Sequence, residues 1–303
     1  MTVPADLPAL PKAEVHVHLE GAVRPATLEE FCARAGVSVS KVWWAMTSPG
    51  DYRRLVREYC EDAVRQGVRY AELELGTIAR PYDCLAEAVE EASKQRDVVV
   101  QFVASIPRNF PIEVAWAILE SAKGVAQVVG LGLAGREDNY PPELFEVVFT
   151  EARRRGLHAT PHAGEDAGPA SVRGALDALG AERIQHGVRA VEDPALVAEL
   201  AERRIPLAVC PTSNLRLGVV SSLDDHPLRE LWDAGVVVSV NTDDPGFFDC
   251  DLVGEYAIAG RLLGLDRAGY GRLALNSVES SFAPDGLKAE LRAAIEDWVD
   301  RGD

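Results

Sequence analysis

His16 and His18 alternate with valine in the run EVHVHL, Glu14–Leu19. Residues i and i+2 of a strand point to the same side, so two imidazoles can be presented to one point, as a metal ion requires. Adding His162 and one carboxylate from Asp243 gives three nitrogen ligands and one oxygen. That set suits one Zn2+, with Fe2+, Co2+ or Mn2+ as other occupants. A position would stay open for water, whose pKa a divalent ion draws down toward ~7. An HxH pair alone is more often structural; the coincidence of all four groups favours the metal.

Glu165 follows His162 by three residues in HAGE, and no basic residue comes after it before Arg173. A carboxyl there can give or take a proton beside the metal; helix capping or plain solvation is the alternative. His186, in QHG, can be a fourth imidazole ligand, a base beside the water or a packed core histidine. His158 reads as a packed or supporting residue. His226 stands before Pro227 and reads as the cap of a helix start.

These groups can meet only if the fold gathers them. Eight short β-rich apolar runs recur: Glu14–Leu19, Tyr70–Leu75, Val98–Ile106, Val128–Leu133, Leu157–His162, Arg183–His186, Ile205–Val209 and Val236–Asn241. Helical periodicity fills the gaps over Tyr52–Gln66, Cys84–Lys94, Glu113–Lys123, Pro142–Arg155, Ala170–Leu179, Pro194–Arg203 and Pro227–Ala234. Gly67, Gly156, Gly180 and Gly235 stand where left-handed helix caps are expected. The alternation predicts an α/β fold, a (β/α)8 TIM barrel; an open doubly wound sheet is second, and its GxGxxG loop is missing. His16, His18, His162 and His186 then fall at strand C-termini, with Asp243 and Asp244 just after the eighth run, all on one rim. A single domain over residues 1–303 is expected, its strands within about 14–241. A helical extension over about 252–303 packs on the barrel and is a candidate subunit contact.

Of the 303 residues, 47% are hydrophobic and 26% charged, the profile of a globular protein rather than a disordered or fibrous one. The net charge of −17 disfavours nucleic-acid and membrane-surface partners. No run of ~20 apolar residues predicts a membrane span, and residues 1–12 lack a signal pattern. The five cysteines are scattered and read as reduced thiols of a cytoplasmic protein.

Six short motifs, HVHLEGA, LAGRED, HAGE, RIQHG, CPTSN and NTDDP, occur in the order and rough spacing of the adenosine deaminase family within the amidohydrolase superfamily, from Lys12 to about Phe248. The resemblance implies a (β/α)8 barrel and zinc-dependent hydrolytic deamination of a 6-aminopurine. It implies His16, His18, His162 and Asp243 as zinc ligands, with His18 also at the substrate and Asp243 also catalytic. Glu165 matches the acid that protonates purine N1, and His186 the base that orients and deprotonates the attacking water. Asp244 matches the partner of N7, Gly135 the backbone donor near N3, and Glu20 the position where many members hold the ribose with Asp. No Lys closes the fourth run, VVGLGLAG, which favours one metal over two.

Some features depart from the pattern. Glu74 stands where Arg is frequent, LRLGVVSSLDDHPL follows CPTSN, and Ala35–Pro49, with Trp43–Trp44, is short for the segment that covers the purine. Adenosine or 2′-deoxyadenosine leads as substrate, with adenine and modified nucleosides such as aminodeoxyfutalosine behind. Another mononuclear amidohydrolase, or an inactive barrel used for binding, is the alternative class. Oligomeric state is not legible.

Overall fold

The computed structural model describes residues 3–38, 45–46, 48–76, 85–90 and 97–301. Eight parallel strands follow one another around a single sheet: β1 Lys12–His18, β2 Val68–Leu75, β3 Val99–Pro107, β4 Val128–Ala134, β5 His158–Ala163, β6 Ile184–His186, β7 Leu207–Val209 and β8 Val238–Val240. Each pairs with the next. The ring closes just beyond β8. His18 N–H donates to Asp243 O at 2.8 Å, Asp243 N–H to His16 O at 3.1 Å, and Val15 N–H to Asn241 Oδ1 at 2.8 Å. The seam of the barrel therefore lies between β1 and the segment carrying Asp243, and barrel closure itself seats that carboxylate against His16 and His18. The expected (β/α)8 barrel is the fold.

The helix expected from Tyr52 runs from Pro49 to Arg65. It begins earlier because Ser48 caps it: Asp51 N–H donates to Ser48 Oγ at 3.2 Å, and Ser48 N–H to Asp51 Oδ2 at 2.9 Å. The Pro142–Arg155 pattern divides into a 3-10 turn, Pro142–Phe145, and an α-helix, Glu146–Arg154. Gly67, Gly156, Gly180 and Gly235 all take positive φ, as the cap reading requires. Residues 85–90 of the Cys84–Lys94 pattern are helical; its remainder and Trp43–Trp44 lie outside the described residues.

Pro25–Ala35, Pro211–Arg216 and Pro245–Phe248 have no counterpart among the expected helices, while Arg267–Glu279 falls inside the expected helical extension. Pro25–Ala35 buries Leu28, Phe31 and Cys32 and ends at Gly36 in the left-handed region. Arg267–Glu279 packs against β1, β8 and the last helix, Asp285–Asp300, so it is covered on more than one side and shows no clean apolar stripe.

The C-terminal helices lie on the barrel as expected: Asn276 Nδ2 donates to Val238 O at 3.0 Å. The link between the last two helices seals the end where the strands begin. Arg183 Nη1 donates to Ser280 O at 2.8 Å, Phe282 N–H to Glu72 Oε1 at 2.6 Å, and the His158 ring stacks on Phe282 at 3.8 Å. His158 thus lies half-exposed at the end of the barrel away from the other strand-end histidines, stacked on Phe282 and paired with Glu182 at 2.9 Å. Among the described residues no helix is long and apolar enough to cross a membrane.

Candidate active site

At the C-terminal ends of the strands, one ligand atom each from His16, His18, His162 and Asp243 lies within 4.8 Å of every other. His16 Nε2 and His18 Nε2 are 3.2 and 3.3 Å from His162 Nε2, and 3.5 and 3.1 Å from Asp243 Oδ1. Four donors at ordinary zinc distances on a tetrahedron stand about 3.3 Å apart. His16 Nδ1 donates to Ala208 O at 3.0 Å, which leaves its Nε2 as a lone pair aimed at the others. Lone pairs that converge without a proton between them repel unless a cation sits among them. The residues present therefore fit a divalent metal.

The carboxylate is held from behind. Ser213 Oγ donates to Asp243 Oδ2 at 2.6 Å, turning Oδ1 toward the imidazoles. Ser213 lies on the short helix Pro211–Arg216, which Glu255 anchors by accepting from Thr212 N–H at 3.0 Å and from the Thr212 hydroxyl. His186 and Asp243 both take left-handed backbone at strand ends, φ 63° and 62°. Such conformations are uncommon outside glycine and cluster at working sites.

Glu165 projects from the loop after β5. Its Oε2 lies 3.4 Å from His186 Nε2, and its Oε1 is buried without a hydrogen-bond partner among the described residues. Burial, then the carboxylates of Asp243, Asp166 and Glu137, holds its carboxyl well above the usual range, which favours the protonated form. The loop is hooked by Glu137 of LAGRED. Its carboxylate accepts from the backbone N–H of Gly164 at 3.0 Å, Glu165 at 2.7 Å, Asp166 at 2.9 Å and Ala167 at 3.3 Å, and from the Ser171 hydroxyl.

Asp244 is wedged against Gly21, where any Cβ would overlap its carboxylate. Burial, then Asp243, pushes its pKa up to about 7, and its Oδ1 has no hydrogen-bond partner among the described residues. Glu20 is buried close enough to contribute to that rise. Gly135, φ 92°, ends β4, with Arg108 and Asn109 bordering the space beside its Cα.

The structure thus brings together His16, His18, His162, Asp243, Glu165 and His186, with Asp244 and Glu20 beside them. Gly135 stands on the same rim but not among those contacts. Sequence reasoning passed over Glu137, Ser213 and Asn214, although each lies inside a quoted motif. It read His226 as a cap; the residue stands one place before the N-cap Pro227, and Leu228 N–H donates to His226 Nδ1 at 3.0 Å. That ring also reaches Asn214 Oδ1 with Nε2 at 3.1 Å, and Asn214 Nδ2 lies 3.3 Å from His186 Nδ1.

The sequence model of the family described as adenosine deaminase matches residues 38–298. An aminodeoxyfutalosine deaminase of Streptomyces avermitilis is 39% identical over 327 residues, covering 96% of this chain and 91% of its own. An adenine deaminase of Cupriavidus necator is 36% identical over 321 residues, covering 94% and 91%. The crystal structure of an amidohydrolase from Burkholderia ambifaria with bound zinc superposes with TM-score 0.91 at 29% identity, covering 99% of this chain and 94% of that one.

Proposed function

The chain belongs to the adenosine deaminase family and is a hydrolase that deaminates adenine-type substrates, and from that premise we propose aminodeoxyfutalosine as its substrate, ahead of free adenine. The expected lead of adenosine and 2′-deoxyadenosine gives way here. The relative at 39% identity is named for aminodeoxyfutalosine and the one at 36% for adenine.

The observation that carries the reaction is the meeting of three imidazole Nε2 atoms and Asp243 Oδ1 beside the buried carboxyl of Glu165. We propose His16, His18, His162 and Asp243 as ligands of one Zn2+, in keeping with the donor set and the zinc held by the Burkholderia relative. When bound, the ion supplies a nucleophile at neutral pH by acidifying water. Glu165 gives a proton to ring N1, making the amino-bearing carbon electrophilic. Asp244, with a pKa near 7, can share a proton with N7. His186 holds the attacking oxygen, Gly135 offers its backbone near N3, and Glu20 and His18 border the substrate.

The same proposal takes residues 1–303 as one cytoplasmic domain acting on a small purine. Among the described residues Cys32, Cys210 and Cys250 form no disulfide, which supports a reduced setting, and the charge of −17 speaks against nucleic-acid and membrane-surface partners.

Zinc-loaded protein offered aminodeoxyfutalosine, adenine, adenosine and 2′-deoxyadenosine tests the reading by ammonia release. Aminodeoxyfutalosine should lead adenosine in kcat/KM by roughly tenfold or more, a ratio that modest pocket differences supply. Adenosine in first place would reverse the substrate order; no ammonia from any of them would reject the reaction.

A further inference from the structure

We propose that Asn214 and His226 form a relay that fixes the proton of His186 on Nε2, so that His186 meets the reacting centre as a hydrogen-bond donor rather than as a base. The inference rests on the deaminase reading and gives His186 a defined part within it.

The chain of deduction starts at a group with no choice. The backbone N–H of Leu228 can only donate, and it lies 3.0 Å from His226 Nδ1. That nitrogen must therefore present its lone pair, and the imidazole must be neutral with its proton on Nε2. Burial alone pulls the His226 pKa down to about 4, in keeping with a neutral ring. The Nε2–H points at Asn214 Oδ1, 3.1 Å away. The orientation of an asparagine amide is ordinarily ambiguous. Here a reversed amide would set N–H against N–H at His226. The amide nitrogen must then face His186, whose Nδ1 is 3.3 Å away and has to accept. A neutral His186 is left with its proton on Nε2.

The far side of the ring agrees. His186 Nε2 faces oxygens of two carboxyl groups, Glu165 Oε2 at 3.4 Å and Asp243 Oδ2 at 3.9 Å, each able to accept its hydrogen. All three relay residues are buried, so water does not offer an alternative partner at the amide.

A consequence follows for proton traffic. His186 keeps its proton and stabilises the attacking oxygen, so Glu165 carries the protons. It gives one to N1 and, as a carboxylate, takes the one lost as a water O–H bond breaks and the C–O bond forms. It delivers that proton to the amino group as the C–N bond breaks and ammonia leaves. The hydroxyl proton of the tetrahedral species returns to it as the carbonyl forms. Asn214 and His226 touch no substrate atom in this scheme; both are positioning residues.

Zinc-loaded protein labelled with nitrogen-15 in its six histidines tests the relay. Long-range proton–nitrogen correlation shows which ring nitrogens carry hydrogen, with His186→Asn and His226→Asn giving the assignments. The expected result is Nε2–H with bare Nδ1 at both residues. Asn214→Asp supplies an acceptor where the amide donated. It should move the His186 proton to Nδ1 and lower kcat by about 10²–10³, the cost of losing one donor to a developing oxyanion, with KM little changed.

A wild-type His186 protonated on Nδ1 overturns the relay, even if ammonia is released. So does an Asn214→Asp protein whose nitrogen signals do not move. Should Asn214→Asp fail to fold, the wild-type spectrum decides alone. The expected tautomers in a protein that releases no ammonia would instead reject the deaminase reading and leave the relay standing.

Discussion

Two buried polar layers share this barrel, one at each end of the strands. At the end where the strands begin, Arg183 and Glu72 are both fully buried and meet at 2.6 Å. The pair there is partnered within the protein at every atom but Arg183 Nε. Arg183 also donates to Ser280 O and Val15 O, while Glu72 accepts from the Tyr70 hydroxyl at 3.0 Å and from Phe282 N–H. At the other end, His16, His162 and Asp243 are buried and His18 largely so, yet their ligand atoms converge on one another. Burial does not separate a structural ion pair from an active site. What separates them is whether the protein alone completes the hydrogen bonding, and at the second end only a ligand does.

The largest expected effect breaks the active layer without touching the structural one. Glu165→Gln keeps the four proposed ligands but cannot move a proton. Zinc content by elemental analysis should stay at one per chain while kcat falls by ~10²–10⁴ or more, the range of general acid–base contributions. Turnover within a fewfold of wild type would remove Glu165 from the proton path and leave the two layers distinguished only by metal. His16→Ala is the companion: it should lose the metal itself.

Arg183→Met reverses the expectation. It strands Glu72 as a buried charge, and breaking one side of such a pair costs about 3–5 kcal/mol. Urea denaturation should show that loss, while zinc content and the kcat of the folded fraction hold. A fall in kcat with stability intact would mean that this end of the barrel also takes part in the chemistry.

The two layers were unequally legible in the sequence. The metal-binding end could be read because an HxH in a strand aims both rings one way, and because barrel strands deliver their last residues to one rim. The eight strands themselves followed from short apolar runs. Glu72 and Arg183 carried no such signal: YAELEL and RIQH show their types but not that the two meet across the barrel. Glu137, Ser213 and Asn214, and the contact of His226 with Asn214, were hidden for a related reason. Each acts through a neighbour whose place depends on loop backbone, and His186 and Asp243 adopt left-handed φ that periodicity does not foretell. The helix Arg267–Glu279 was legible only as part of the C-terminal helical extension because, covered on more than one side, it shows no clean apolar stripe.

The smallest expected effect tests whether a hydroxyl at the boundary belongs to the metal-binding layer or to the fold. Ser213 Oγ donates to Asp243 Oδ2 at 2.6 Å, and the other oxygen of that carboxylate faces the imidazoles. If the bond serves to aim the ligand, Ser213→Ala should weaken zinc affinity by 10–100-fold, the usual cost of losing a partner behind a metal ligand. That is about 1.4–2.8 kcal/mol, measurable by competition with a chelator. The metal-free protein should melt close to wild type, and a Tm difference should open only when zinc is limiting, since the ion stabilises the folded state in proportion to its affinity. The opposite pattern, a lower metal-free Tm with affinity unchanged, would make Ser213 a structural partner like Tyr70 at the other end. The criterion would then fail where it is most exposed, because Asp243 Oδ2 is the oxygen of the ligand carboxylate that the protein itself satisfies.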